Sequence, residues 1–188
     1  MIKMKKYTLT IFFAFIFLFV YNSSVISQEK RDFRLSVGGG FVTIQNRLYY
    51  SPGIEGEYFL SHNWALNYSL GYGKSERGDV QFHFPLGWLA IPFACDPEAI
   101  IFCVMIPEGF SYHIYPNEKM EIAPYLNLLQ AQCVLSDEEE FNILSGAGVR
   151  VHFRPVEKFS ITLQYGISVP YNRPDLCISG GVSLGMFL

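Results

Sequence analysis

The chain has 188 residues, 50% of them hydrophobic, 16% aromatic and only 16% charged, with a formal net charge of −3. That length suits one domain. The apolar content excludes a disordered chain, and the charge leaves no basic footprint for nucleic acid. The 17 Phe, 12 Tyr and 16 Gly favour β-structure over a helical bundle.

Lys3, Lys5 and Lys6 precede an unbroken apolar run from Ile11 to Val20, and Tyr21, Asn22, Ser23 and Ser24 follow it. A positive start, a short apolar stretch and a polar exit describe a secretory signal peptide. Val25 and Ser27 fit the −3 and −1 positions of a cut before Gln28. The run is shorter than the roughly 20 residues that a spanning helix needs. We therefore expect a signal peptide at 1–27 and one domain at 28–188. No cysteine stands just after the cut, which argues against a lipoprotein. Cleavage removes three lysines and no acid, so Lys+Arg falls from 14 to 11 against 17 Asp+Glu and the mature charge is −6.

After residue 30 the hydrophobic pattern has period two. Phe33, Leu35, Val37 and Phe41 alternate with Arg34, Ser36 and glycines. Trp64, Leu66, Tyr68, Leu70 and Tyr72 alternate with Ala65, Asn67, Ser69, Gly71 and Gly73. Phe159, Ile161, Leu163, Tyr165, Ile167 and Val169 alternate with Ser160, Thr162, Gln164, Gly166 and Ser168, and 181–188 repeats the pattern. Alternation of this kind marks strands. The segments are longer than the usual strand of about 5–6 residues and match the roughly 9–11 that cross a bilayer when tilted. An apolar face opposite a small polar face, in an exported chain, fits a barrel with lipid outside and a polar lumen inside. In lipid every backbone group must be paired, which only helices and closed barrels achieve. The alternative is a soluble secreted β-sandwich or lipocalin-like barrel.

Short turns at 61–63, 115–119 and 154–158 alternate with longer polar connections at 45–52, from 74 to about 79, at 133–140 and at 170–176. This asymmetry is that of short periplasmic turns and longer surface loops. Tyr49, Tyr50, Tyr58, Trp64, Tyr72, Tyr115, Phe153, Phe159 and Tyr171 fall at strand ends, where they would form interfacial girdles. Eight strands are expected, at about 33–44, 53–60, 64–73, 106–115, 120–132, 142–153, 158–169 and 178–188, with 80–105 as the second surface loop. Because Val80, Phe82, Phe84, Leu86 and Trp88 alternate with Gln81, His83, Pro85 and Gly87, a rival count makes 80–91 and 99–106 strands and gives ten. Pro85, Pro92 and Pro97 argue against a helix there.

Asn63-Trp64-Ala65-Leu66, Asn117-Glu118-Lys119-Met120-Glu121-Ile122-Ala123-Pro124-Tyr125 and Val156-Glu157-Lys158-Phe159-Ser160-Ile161 each launch a strand from a turn. In these features the mature chain resembles the small outer-membrane β-barrel proteins, porin-like, of Gram-negative bacteria. The resemblance implies an all-β, antiparallel up-and-down transmembrane barrel and an outer-membrane location. It implies a monomer whose partners are outer-membrane lipid, lipopolysaccharide and the barrel-assembly machinery. That family usually ends in an aromatic residue, whereas here Phe187 is penultimate and Leu188 last.

The inward faces carry Arg34, Glu55, Glu57, Arg150 and His152. A barrel of this size is barely wide enough for side chains, and unpaired buried charge is costly, so these residues are expected to pair and plug the lumen. A narrow ion path is the alternative. Ser111 with His113, or His83 with nearby acids, could supply parts of a hydrolase, but no strained nucleophile turn such as G-x-S-x-G accompanies them. No catalytic activity and no cofactor or metal is expected. The cysteines at 95, 103, 133 and 177 form no metal-binding spacing. Cys95 and Cys103 could close a small loop by a disulfide in an oxidising compartment; four free thiols are the alternative. Asp137-Glu138-Glu139-Glu140 reads as a solvated acidic loop tip. The expected role is structural or surface-interacting, with a small passive channel second and a lipid-modifying enzyme third.

Overall fold

The computed structural model describes residues 33–94, 96–136, 139–172 and 174–188. The expected signal peptide, Cys95 of the suggested disulfide, and Asp137 and Glu138 of the acidic tip lie outside these residues. The strands are β1 (Phe33–Ile44), β2 (Arg47–Phe59), β3 (Trp64–Ser75), β4 (Val80–Pro85), β5 (Gly109–Tyr112), β6 (Ile114–Asn117), β7 (Met120–Leu135), β8 (Glu140–Val156), β9 (Phe159–Pro170) and β10 (Cys177–Phe187). All pairings are antiparallel, and β1 pairs with β10 over Arg34↔Phe187 to Val42↔Ser179, which closes the sheet on itself.

Ten strand segments make eight wall positions, because one position is shared. β4 pairs with the upper part of β3, Gly71↔His83 to Lys74↔Val80, and with β7 over Val80↔Leu135 to Pro85↔Gln130. β5 pairs with the lower part of β3, Trp64↔Tyr112 to Asn67↔Gly109, and with β7 at 125–127. β6 continues below it along β7, from Ile114↔Ile122. The fourth staff of the barrel is thus split. The chain leaves the wall after Pro85 and re-enters at Gly109.

Between these points lie a 3-10 helical segment, Leu86–Phe93, and helix α1, Pro97–Met105. The expected surface loop over 80–105 is not found; of the rival pair of strands, the first part of 80–91 is strand β4, while 86–91 and 99–106 give way to helical structure. The prolines punctuate helix instead of preventing it. Pro85 precedes the 3-10 segment, Pro92 lies within it, and Pro97 opens α1, where the missing N–H has no partner to lose. Asp96 caps α1 by accepting from Ala99 N at 2.7 Å.

The alternation read from the sequence sets the faces. In β3, Ala65, Asn67, Ser69, Gly71, Gly73 and Ser75 are buried while Leu70 and Tyr72 are exposed. A one-residue slip would exchange the two faces, so the apolar pattern fixes the register. The expected connection at 45–52 shrinks to two residues. Gln45 and Asn46 have φ of 49° and 61°, the type I′ geometry whose twist matches a hairpin, and β2 begins at Arg47. Tyr49 consequently sits inside with Ile44, Val134 and Cys177 rather than in a girdle. At that end 76–79 and 136–139 join their strands more briefly than expected, while 171–176 keeps the length expected of it; the longest excursion of this chain is in the wall. Among the described residues no helix is long and apolar enough to cross a membrane.

Candidate functional site

The lumen is the candidate site, and its turn-end half is filled with charge. Arg34 has no exposed surface. Its Nε donates to Glu57 Oε2 at 2.6 Å, and Nη1 and Nη2 donate to Glu121 Oε2 and Oε1 at 3.1 and 2.9 Å. The first pair is dictated by register, Arg34 standing opposite Glu57 on adjacent strands. The second spans the bore from β1 to β7. Arg150 Nη1 donates to Glu57 Oε1 at 3.1 Å, and its Nε lies 3.7 Å from Glu55. Arg154 Nε lies 4.0 Å from Glu121. Three guanidinium groups thus face the carboxylates of Glu55, Glu57 and Glu121, so the cluster balances its own charge, as burial demands. The rings of Phe59 and Phe187 floor it, 5.6 and 5.2 Å from the Arg34 guanidinium.

All five residues expected in the lumen are there. Arg34, Glu57, Arg150 and His152 meet directly, since Arg34 Nη2 lies 2.9 Å from His152 Nε2; Glu55 stands at the edge. A guanidinium can only donate, so His152 Nε2 accepts and its Nδ1 carries the proton towards Thr162 Oγ1 at 2.7 Å. Sequence reasoning did not select Glu121, Arg154 or Glu108. Glu121 was legible as the inward neighbour of Ala123 on a period-two strand. Glu108 was not, because it belongs to the split in the wall.

Ser111 and His113 form part of the same network. Ser111 Oγ lies 2.8 Å from His113 Nε2, and His113 Nδ1 lies 2.5 Å from Glu121 Oε1. This has the connectivity of a serine, histidine and carboxylate triad. However, all three residues have no exposed surface, Ser111 Oγ also donates to Asn67 Oδ1 at 2.9 Å, and the Phe59 ring lies 4.8 Å from the imidazole. Sealed from solvent and bonded on both sides, the arrangement is a buried hydrogen-bond chain. His83, the other suggested base, lies against Gly71, where a Cβ would stand 1.9 Å from its ring. Glu57, His113 and His152 also bring one ligand atom each within 4.8 Å of one another. Arg34 already donates to two of these groups, Glu57 and His152, so a divalent ion there would compete with its guanidinium.

Above the plug is a polar cavity of about 120 Å³, bordered by Glu55, Gln81, Glu108, Tyr125, Gln132 and Arg150 among others. It has room for several ordered waters. Glu108 borders it where the fourth staff is interrupted. Its carboxylate accepts from Ser69 Oγ at 2.7 Å and Asn127 Nδ2 at 3.1 Å. Its backbone N–H donates to Asn67 O, and its carbonyl accepts from Leu128 and Leu129. One residue therefore ties β3 to β7 across the break. Among the described residues Cys103 and Cys133 are free thiols.

Barrel closure through β1 and β10, an apolar outer face and a polar lumen decide the architecture. The fold is that of the small outer-membrane β-barrels. The N-terminal β-barrel domain of Pseudomonas aeruginosa OprF is similar, with a TM-score of 0.55 and 13% identity over 85% of this chain and 100% of that one. Neisserial surface protein A is similar too, with a TM-score of 0.52 and 9% identity over 83% and 96%. No family model and no curated protein matches the sequence.

Proposed function

We propose that this chain is an outer-membrane barrel, exported by its signal peptide, with a closed lumen and a structural or surface-interacting role. It works as a monomer without catalytic activity. Outer-membrane lipid and lipopolysaccharide surround it, and the barrel-assembly machinery inserts it. The observation that carries this reading is Arg34, wholly buried and held across the bore between Glu57 and Glu121. An ion crossing the lumen would have to break that clamp. One of the similar structures is, by its name, a surface protein, which supports the same class of role. The burial of Ser111 and His113 supports the non-enzymatic reading.

The competing reading is a small passive channel, and the polar cavity above the plug is what favours it. Planar-bilayer recording separates the two. The purified barrel should show no conductance steps, and sustained steps from wild-type protein would overturn the closed-lumen reading.

A further inference from the structure

The segment 86–105 is not needed to close the wall, because β4 and the β5–β6 pair already occupy the fourth position. Its described residues, 86–94 and 96–105, form a helical hairpin. The 3-10 segment and α1 cross at Gly87, where a Cβ would stand 2.6 Å from Ile106 Cβ and 2.7 Å from the Cys103 carbonyl. The hairpin lies on the outer face of the barrel. Tyr68, which alternates with the lumen-facing Asn67 and Ser69, gives its hydroxyl to the Met105 carbonyl at 2.9 Å. The hairpin's surface is apolar, with Phe102 70%, Ile101 62% and Met105 54% exposed. Asp96 and Glu98, where the 3-10 segment passes into α1, are the sole charged residues in 86–107.

We propose that this hairpin is immersed in the acyl-chain region of the bilayer, as a lipid-facing extension of the barrel wall. The inference rests on the outer-membrane reading above. Continuity carries it: the hairpin is seated on the same face that the apolar alternation turns to lipid, at a residue in the middle of β3. Hydrocarbon favours polar groups that are paired internally, and several of the hairpin's backbone groups are so paired, although the Trp88 indole N–H is buried without a partner. Ala94 N donates to Ile91 O, Ala99 N to Asp96 Oδ1 and Ile106 N to Cys103 O. The Met105 carbonyl takes the Tyr68 hydroxyl, and the backbone of Glu108 is tied to both neighbouring strands. In water the same apolar surface would be a large exposed patch with no compensating contact. Helix α1, with nine residues, is too short to span, since crossing takes about 20. The hairpin therefore enters the bilayer from the wall without crossing it.

The test uses the two tryptophans, Trp64 and Trp88. Trp64→Phe leaves Trp88, at the base of the hairpin, as the sole reporter. The full-length barrel is reconstituted in phosphatidylcholine vesicles with and without dibrominated acyl chains, and iodide is the aqueous quencher. The expected result is a strong loss of Trp88 emission to brominated lipid and little loss to iodide. A second reporter, Phe102→Trp in a chain with Trp64→Phe and Trp88→Phe, should behave alike. Quenching by iodide but not by brominated lipid puts the hairpin in water and overturns the proposal. Quenching by neither means that protein covers it, a second copy or another partner, and overturns it as well. The same samples are run boiled and unboiled. A heat-shifted barrel with a water-exposed hairpin removes this inference alone, whereas no heat shift removes the barrel reading beneath it.

Discussion

At the scale of single residues, the lumen depends on pairing rather than on charge as such. Arg34 neutralises two carboxylates from opposite sides of the bore. Arg34→Met should lower stability by about 3–5 kcal/mol, the usual effect of orphaning a buried ionic partner. Denaturant unfolding of the vesicle-inserted protein, followed by tryptophan emission, measures it; an unchanged midpoint would contradict the clamp. Arg150→Glu sets a third negative charge beside Glu55 and Glu57. It should lower the same midpoint further than Arg150→Met does, because like charges at this distance repel in addition to losing the pair. Equal midpoints for the two variants would show that Arg150 contributes packing alone.

At the scale of elements, alternation made most strands legible, since the lipid face and the lumen face differ so sharply in β1, β3, β9 and β10. Their expected ends agree with the structure to within about two residues. Of the fourth staff, the lower part was legible as the strand expected at 106–115 and the upper part only in the rival strand at 80–91; the break between them was not. Its pieces are short, Val80–Pro85 above the break and Gly109–Tyr112 with Ile114–Asn117 below it, and β4 pairs early with β3 but gains its other neighbour, β7, only after the chain returns from the hairpin. Apolar residues fill 86–105 on every side, so no period distinguishes helix from strand there. The inward Arg34, Glu57, Arg150 and His152 were legible by parity within their strands. Glu108 was not, because its role follows from where the wall is broken. Gly87 is the element-scale test. A Val side chain there would drive into Ile106 and the Cys103 carbonyl. Overpacking of this kind destabilises by about 1–3 kcal/mol. Gly87→Val should therefore lower the unfolding midpoint and loosen the hairpin, read as increased proteolysis within 86–105. Wild-type stability and cleavage would contradict the close crossing.

At the scale of the molecule, the usual arrangement of a globular protein is inverted. Large apolar side chains such as Leu184, Val37 and Phe159 lie outside and exposed, while Arg34, Glu121, His113 and Asn67 are the best buried. That distribution is unfavourable in water and favourable in a bilayer, where the apolar band meets lipid and the closed ladder leaves no unpaired edge. The central claim is that this chain is a membrane barrel, and electrophoretic mobility of the membrane fraction from expressing cells, boiled against unboiled, tests it most directly. The account predicts a protein in the outer-membrane fraction whose mobility changes on heating, because the closed sheet resists mild detergent until it is unfolded. A protein recovered in the soluble periplasmic fraction with one mobility under both conditions would contradict it.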